Sequence, residues 1–251
     1  MGDTSRDQML KAIRAWTTNL DNYPGWKEWR RRRFGHTLHF DDQFSTAFEK
    51  LEDEFHFSDE MEKHHAVVIQ YIGLHDTIIS LKECEYYFRR YPFWDLPVTR
   101  HSHITNVCEM YFGRFYEFKE RLRNYFDAVT AATPRHGLDV GGFIKTFNKV
   151  FDQELRARHG IHHHRRFGDV AIDQVLLTES LSEIHPEKGW KREHLTAYRK
   201  LSRQWARRVR LRGAKMDEFL EAIAVATLAT CNFLSALLPP NQESSPVDSL
   251  E

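Results

Sequence analysis

The stretch Asp139-Val140-Gly141-Gly142-Phe143-Ile144-Lys145-Thr146-Phe147-Asn148-Lys149-Val150-Phe151-Asp152-Gln153-Glu154-Leu155-Arg156-Ala157-Arg158 repeats its apolar residues at the period of an α-helix. On a wheel of about 100° per residue, Val140, Phe143, Ile144, Phe147, Val150, Phe151 and Leu155 form one stripe. Lys145, Lys149, Asp152 and Arg156 lie opposite, as solvated residues do. The same period runs through most of the chain, and no segment alternates as a half-buried strand does. The expected fold is all-α, an antiparallel helical bundle.

Working outward, helices are expected over about residues 5–20, from a cap at Ser58 to Phe88, over 102–131, 139–158, 169–184, 190–212 and 214–237. Asp41 or Asp42 is a candidate start for a further helix reaching His56, while 26–40 has no assigned structure. Tyr23-Pro24-Gly25, the aromatic loop Tyr91–Pro97, Thr133–Gly137 and His185–Gly189 punctuate the pattern. The polar, proline-containing segment from Pro239 reads as a disordered tail.

Two charges break the division of the 139–158 wheel. Glu154 and Arg158 both fall in the apolar stripe, one turn apart, where a glutamate four residues before an arginine can pair with it. A charge aimed along a core stripe is costly unless it is paired or opens onto a cavity or interface. The chain continues His159-Gly160-Ile161-His162-His163-His164-Arg165-Arg166. Arginine binds phosphate and histidine moves protons near neutral pH, so this stretch carries the most chemistry in the sequence. On an unbroken helix Arg158 and His163 point about 140° apart. Gly160 is expected to end the helix in a left-handed conformation and return His163 toward Arg158. His162, one turn beyond Arg158 on a continuing helix, is the competitor, and the sequence leaves the two open.

Arg158-His159-Gly160-Ile161-His162-His163 resembles the signature of the HEPN superfamily: an arginine, a polar follower, then a histidine after four to six residues. The resemblance covers about residues 100–237. It implies a HEPN-like bundle over 99–238, an N-terminal helical region of unassigned role over 1–98, and a tail over 239–251. It implies a homodimer that brings two copies of the motif together. It further implies a metal-independent endoribonuclease, or an RNA-binding relative, in defence or stress. Inactive members of the superfamily act as interaction modules, so a protein partner is the alternative. Carried onto this chain, Arg158 would hold the scissile phosphate, His163 would act as general base or acid, and His159 would orient the site. Outside the family pattern, the wheel adds Glu154 as a support that pairs with Arg158, His162 stays as the alternative to His163, and Arg165 and Arg166 could add phosphate contacts. No cofactor or metal is implied.

Lys and Arg number 36 and Asp and Glu 36, so any grip on a polyanion must come from local patches. Two exist. Trp26–Arg33 mixes two tryptophans with four arginines, and Arg199, Arg203, Arg207 and Arg210 share a helix face from which Arg208 and Arg212 point away. A solvated face is the plainer reading of either patch alone. The histidine run with Glu179 and Glu183 could instead hold a transition metal, but it lacks ligands at fixed offsets. His64-His65 and His101-Ser102-His103 read as surface or capping residues, and Trp94, Trp190 and Trp205 as core anchors. Cys84, Cys108 and Cys231 lack metal or redox spacing and suit reduced, buried residues. Residues 219–238 are nearly apolar but read as a bundle helix rather than a membrane span. No signal segment, phosphate-binding glycine loop or nucleophile elbow is present, and the expectation is a soluble, cytoplasmic protein.

Overall fold

The computed structural model describes residues 2–38, 54–93, 96–163 and 166–238, and every regular element among them is helical. In chain order these are α1 (Ser5–Leu20), α2 (Trp26–Leu38), α3 (Asp59–Arg89), α4 (Arg100–Ala132), α5 (Val140–Val150), α6 (Asp152–His163) and α7 (Val170–Ile184). A 3₁₀ turn (Pro186–Lys188) leads to α8 (Trp190–Thr230) and the short α9 (Asn232–Ser235). Side chains set several of these starts. Thr4 and Asp7 form a reciprocal capping box on α1. Thr99 accepts the Ser102 N–H on α4, and Asp169 accepts the Ile172 N–H on α7. Gly189, at φ 77°, turns the chain into α8 in a left-handed conformation that suits glycine.

The long helices α3, α4 and α8 make the frame. Tyr71 against Tyr125, and Tyr87 beside His103, set α3 and α4 antiparallel. Phe88 stacks on Trp205 of α8 and His64 on Phe233 of α9, so α3 also runs against α8 and the short helix that follows it. Helix α1 lies along α8, where Glu221 accepts the N–H groups of Ser5 and Arg6 at 2.7 and 2.9 Å. The unpaired amides of a helix start are a good seat for a carboxylate. Burial works against the Glu221 charge, but these hydrogen bonds outweigh it and hold the carboxyl below its ordinary pKa. One apolar core runs from Met9 on α1 to Leu234 on α9, so helices on both sides of residue 98 share it. The three cysteines are buried and unbonded to each other. Among the described residues, no helix is long and apolar enough to cross a membrane.

Several expectations change. Residues 26–38, left unassigned, are helical, and Trp26 and Trp29 stack at 5.2 Å within α2. The helix expected from Asp41 or Asp42 falls largely on residues 39–53, outside the described residues; 54–56, its expected end, are not helical. The tail from residue 239 and Trp94 are also outside them. Instead of two helices meeting near Gly213, α8 is continuous from 190 to 230. Gly213 there allows a close approach: a Cβ on it would meet Lys82 Cγ at 3.0 Å, so it marks where α3 crosses α8.

The segment quoted at the outset breaks in a different place. Helix α5 stops at Val150, Phe151 is its buried C-cap, and α6 then runs unbroken through Gly160. The Val150 carbonyl at the break accepts a hydrogen bond from Arg212 Nη2 at 2.9 Å. Tertiary contact thus meets a cost that propensity alone would place at the glycine. Phe147 on Phe118, and Phe143 on Phe126, hold α5 against α4.

Candidate functional site

Glu154 lies in the first turn of α6 and is 1% exposed, so its position in the apolar stripe does mean burial. Its partner is not Arg158. Arg208 on α8 donates to Glu154 Oε1 at 3.1 Å, and Arg212 donates Nε to the same oxygen at 3.0 Å and Nη2 to Oε2. The sequence pairing fails because the acid faces across the bundle, where α8 presents two guanidinium groups. Aromatic rings complete the enclosure: Arg208 sits 5.0 Å over Trp205, and Arg212 5.0 Å over Phe151. Burial raises the Tyr111 hydroxyl well above its usual pKa, and the nearby Glu154 adds to this. Burial by itself works against the Arg208 charge, but Tyr111 and Glu154 more than offset it and raise its pKa. Both Glu154 oxygens are occupied by arginine, so this carboxylate is an anchor and is not placed to act as a base.

Arg158, one turn further on, points to α4. Its guanidinium lies 4.5 Å over the ring of half-exposed Tyr116, and no acid pairs with it among the described residues. The ring steadies a cation that remains partly open to solvent. His159 is exposed beside it, and Arg156 on the outer face pairs with Asp152 at 2.9 Å. The expected turn at Gly160 is absent, since the helix continues and, among the glycines of the described residues, only Gly25 and Gly189 have positive φ. In the register of α6, position 162 is therefore one turn beyond Arg158 and position 163 is about 140° round the axis. The side chains of His162 and His163, and all of His164 and Arg165, lie outside the described residues.

Arg166 has a structural setting. It donates to Glu109 Oε1 at 3.2 Å and to the Asn106 side chain, and Phe167 N–H donates to the same Glu109 oxygen at 3.2 Å. These bonds fasten the chain after α6 to α4. Phe167 then packs on Phe112 and Trp205. Of the proposed metal partners, Glu179 is engaged elsewhere: it accepts the Arg100 N–H and lies 3.7 Å from His194. No group of three His, Cys, Asp or Glu side chains converges among the described residues.

Three features were missed from sequence. Tyr116 offered only an aromatic on a helix, and its contact with Arg158 spans two elements. The Arg208–Glu154–Arg212 cluster was half legible, because the wheel turned Arg208 and Arg212 away from the exposed stripe. A cavity of about 800 Å³ opens where α3 ends and α4 begins, walled by Tyr86, Tyr87, Tyr91, Phe93 and Met110. The aromatic run in the sequence marked this loop, but not its concavity. His103 is buried here rather than on the surface, with Nε2 3.0 Å from the Tyr87 carbonyl, so it does cap the end of α3. His64 and His65 are half-buried against aromatic rings, and burial lowers the pKa of both. The sequence matches no protein-family model, no curated protein and no solved structure.

Proposed function

We propose that this chain is a HEPN-like RNA-binding protein that grips a backbone phosphate with Arg158 and cleaves the strand without a metal. The observation that carries the reading is Arg158 itself. It is a guanidinium steadied by Tyr116, without an acid partner among the described residues, on a helix anchored by a separate buried carboxylate. An arginine with no carboxylate to satisfy it is suited to a phosphate.

In the proposed reaction a histidine of the 162–163 pair takes the proton of the ribose 2′-OH as the oxygen attacks phosphorus. Arg158 stabilises the charge that develops on the phosphoryl oxygens. The 5′-oxygen leaves as the P–O5′ bond breaks and takes a proton from water, giving a 2′,3′-cyclic phosphate and a 5′-hydroxyl, and the histidine then returns its proton to solvent. His159 would orient the site. Within one chain the continuous helix favours His162 for the proton transfer, since it follows Arg158 by one turn; His163 would serve a second copy. Self-association has its own support in α7, where Val170, Leu177 and Ile184 are 85, 59 and 67% exposed at intervals of seven residues. The same register favours one other reading, binding without turnover, because Arg158 and His163 do not share a face.

The test is incubation of the purified full chain with mixed RNA in EDTA, with cyclic ends read by mass spectrometry. Cleavage that Arg158→Ala and His162→Ala abolish is expected, with a smaller loss for His163→Ala in dilute, monomeric protein. Binding without cleavage by the wild type assigns the non-catalytic reading. Cleavage that needs added metal overturns the mechanism.

A further inference from the structure

Several cations on this protein pair with acids: Arg89 and Arg210 with Glu85, Arg123 with Glu120, Lys82 with Asp217, and Arg208 and Arg212 with Glu154. A regularly spaced group on α8 does not. Arg199, Lys200, Arg203 and Arg207 are exposed on α8 and have no ion pair among the described residues. Arg199, Arg203 and Arg207 follow one another every four residues, so they climb the helix in steps of roughly 6 Å. Shallow hollows of about 410 and 270 Å³ lie along them, the first including Thr196 and Gln204, the second Arg89, Tyr198 and Ser202.

Tyr198 connects this stripe to the aromatic cavity. Its ring centroid is 6.1 Å from that of Tyr91, which walls the cavity of about 800 Å³ at the α3–α4 joint. A row of unmatched cations therefore leads to a concave site lined by tyrosine faces. We propose that a single strand of RNA binds here, with phosphates along Arg199, Arg203 and Arg207 and an unpaired base in the aromatic cavity. Arginines at regular steps fit a backbone of regularly spaced negative charge, and aromatic faces stack on any base. A duplex keeps its bases inside and has none to place in the cavity. An anionic membrane would meet cations but has no planar group for the tyrosines. The choice of RNA rests on the reading of Arg158 above, whereas the track itself requires no cleavage.

The experiment measures fluorescence anisotropy of a labelled mixed-sequence 12-nucleotide RNA and of its duplex, with the full chain, in EDTA, over a range of salt. The R199A/R203A/R207A variant should bind the single strand at least tenfold more weakly. Its log K against log salt should flatten by about 2, since each phosphate contact contributes about 0.7 for single strands. A charge-matched control, K11A/R123A/K215A, should keep the wild-type slope. Tyr87→Ala should weaken single-strand binding roughly tenfold through lost stacking without changing the slope.

An unchanged slope in the triple variant overturns the track, and so does equal binding of duplex. Stripe-dependent binding to phosphatidylserine vesicles without binding to RNA overturns it as well. The two proposals separate cleanly. A track variant that binds as the wild type does, beside cleavage lost in Arg158→Ala, refutes only the track. Stripe-dependent binding with no cleavage refutes only the chemistry.

Discussion

Arg207 and Arg208 are neighbours on α8 and meet opposite environments. Arg208, with Arg212 one turn on, is turned inward onto a carboxylate that is 1% exposed and is covered by Trp205. Arg207, with Arg203 and Arg199, faces solvent and pairs with no acid among the described residues. Both sets share residue type, helix and spacing, so arginine content predicts nothing by itself. The difference lies in what the opposite surface supplies. The inward pair fixes α6 to α8 and satisfies the carbonyl at the α5–α6 break, which is a structural task. The outward row retains its full demand for an anion, which makes it available for recognition. Arg158 belongs with the second set, although it sits next to the buried acid of the first.

Removing the shared carboxylate is the severest way to test this contrast. Glu154→Ala leaves two partly buried guanidinium groups without their acid and should cost about 3 kcal/mol, the lower end for a broken buried pair because both arginines keep some water. Glu154→Gln keeps the volume and an acceptor oxygen, so it should recover part of the loss. Urea unfolding at neutral pH reads both. A loss below about 1 kcal/mol for the alanine variant would remove the distinction between the two arginine sets. High salt should change this stability little, because buried pairs are poorly screened.

How far the sequence went is visible in the same residues. Helical periodicity placed α1, α3, α4 and α7 within a few residues of their observed ends, because each carries an apolar face, and α1, α4 and α7 a side-chain cap as well; Ser58, at the N-cap of α3, makes no side-chain cap bond. The wheel also put Glu154 in the core stripe and separated Arg208 and Arg212 from the outward row. It could not supply partners 54 and 58 residues away, so Glu154 was matched with the only cation in local reach. Glycine misled twice. Gly213 and Gly160 read as breaks by propensity, but packing along α8 and the anchoring of α6 hold both in helix. The break at Val150 was illegible because its compensation, the Arg212 hydrogen bond, comes from another element.

Gly160 gives the next test, of intermediate size. It is helical, and a Cβ added there meets nothing within 4 Å. Gly160→Ala should therefore stabilise the chain by roughly 0.5–1 kcal/mol, since alanine has less backbone freedom to lose and better helix propensity. A left-handed Gly160 predicts the reverse sign, because alanine is strained there. The thermal midpoint thus decides between a straight α6, which favours His162 beside Arg158, and the turn that would return His163. The same variant should leave the Glu154 cluster intact, as that cluster lies more than one turn earlier.

The smallest effect should come from the outward row. Arg203→Ala removes an exposed charge that pairs with no acid among the described residues, so stability should change by no more than about 0.5 kcal/mol. Its sign carries information beyond its size. Like charges one turn apart repel, and deleting the central arginine relieves both neighbours, so a slight gain is expected at low salt and should vanish when salt screens the row. A clear loss, insensitive to salt, would show that Arg203 supports the fold as Arg208 does. In that case the contrast between the two sets would collapse into a difference of degree. A row that slightly destabilises the folded chain needs another reason to be there, and an anion that neutralises it supplies one.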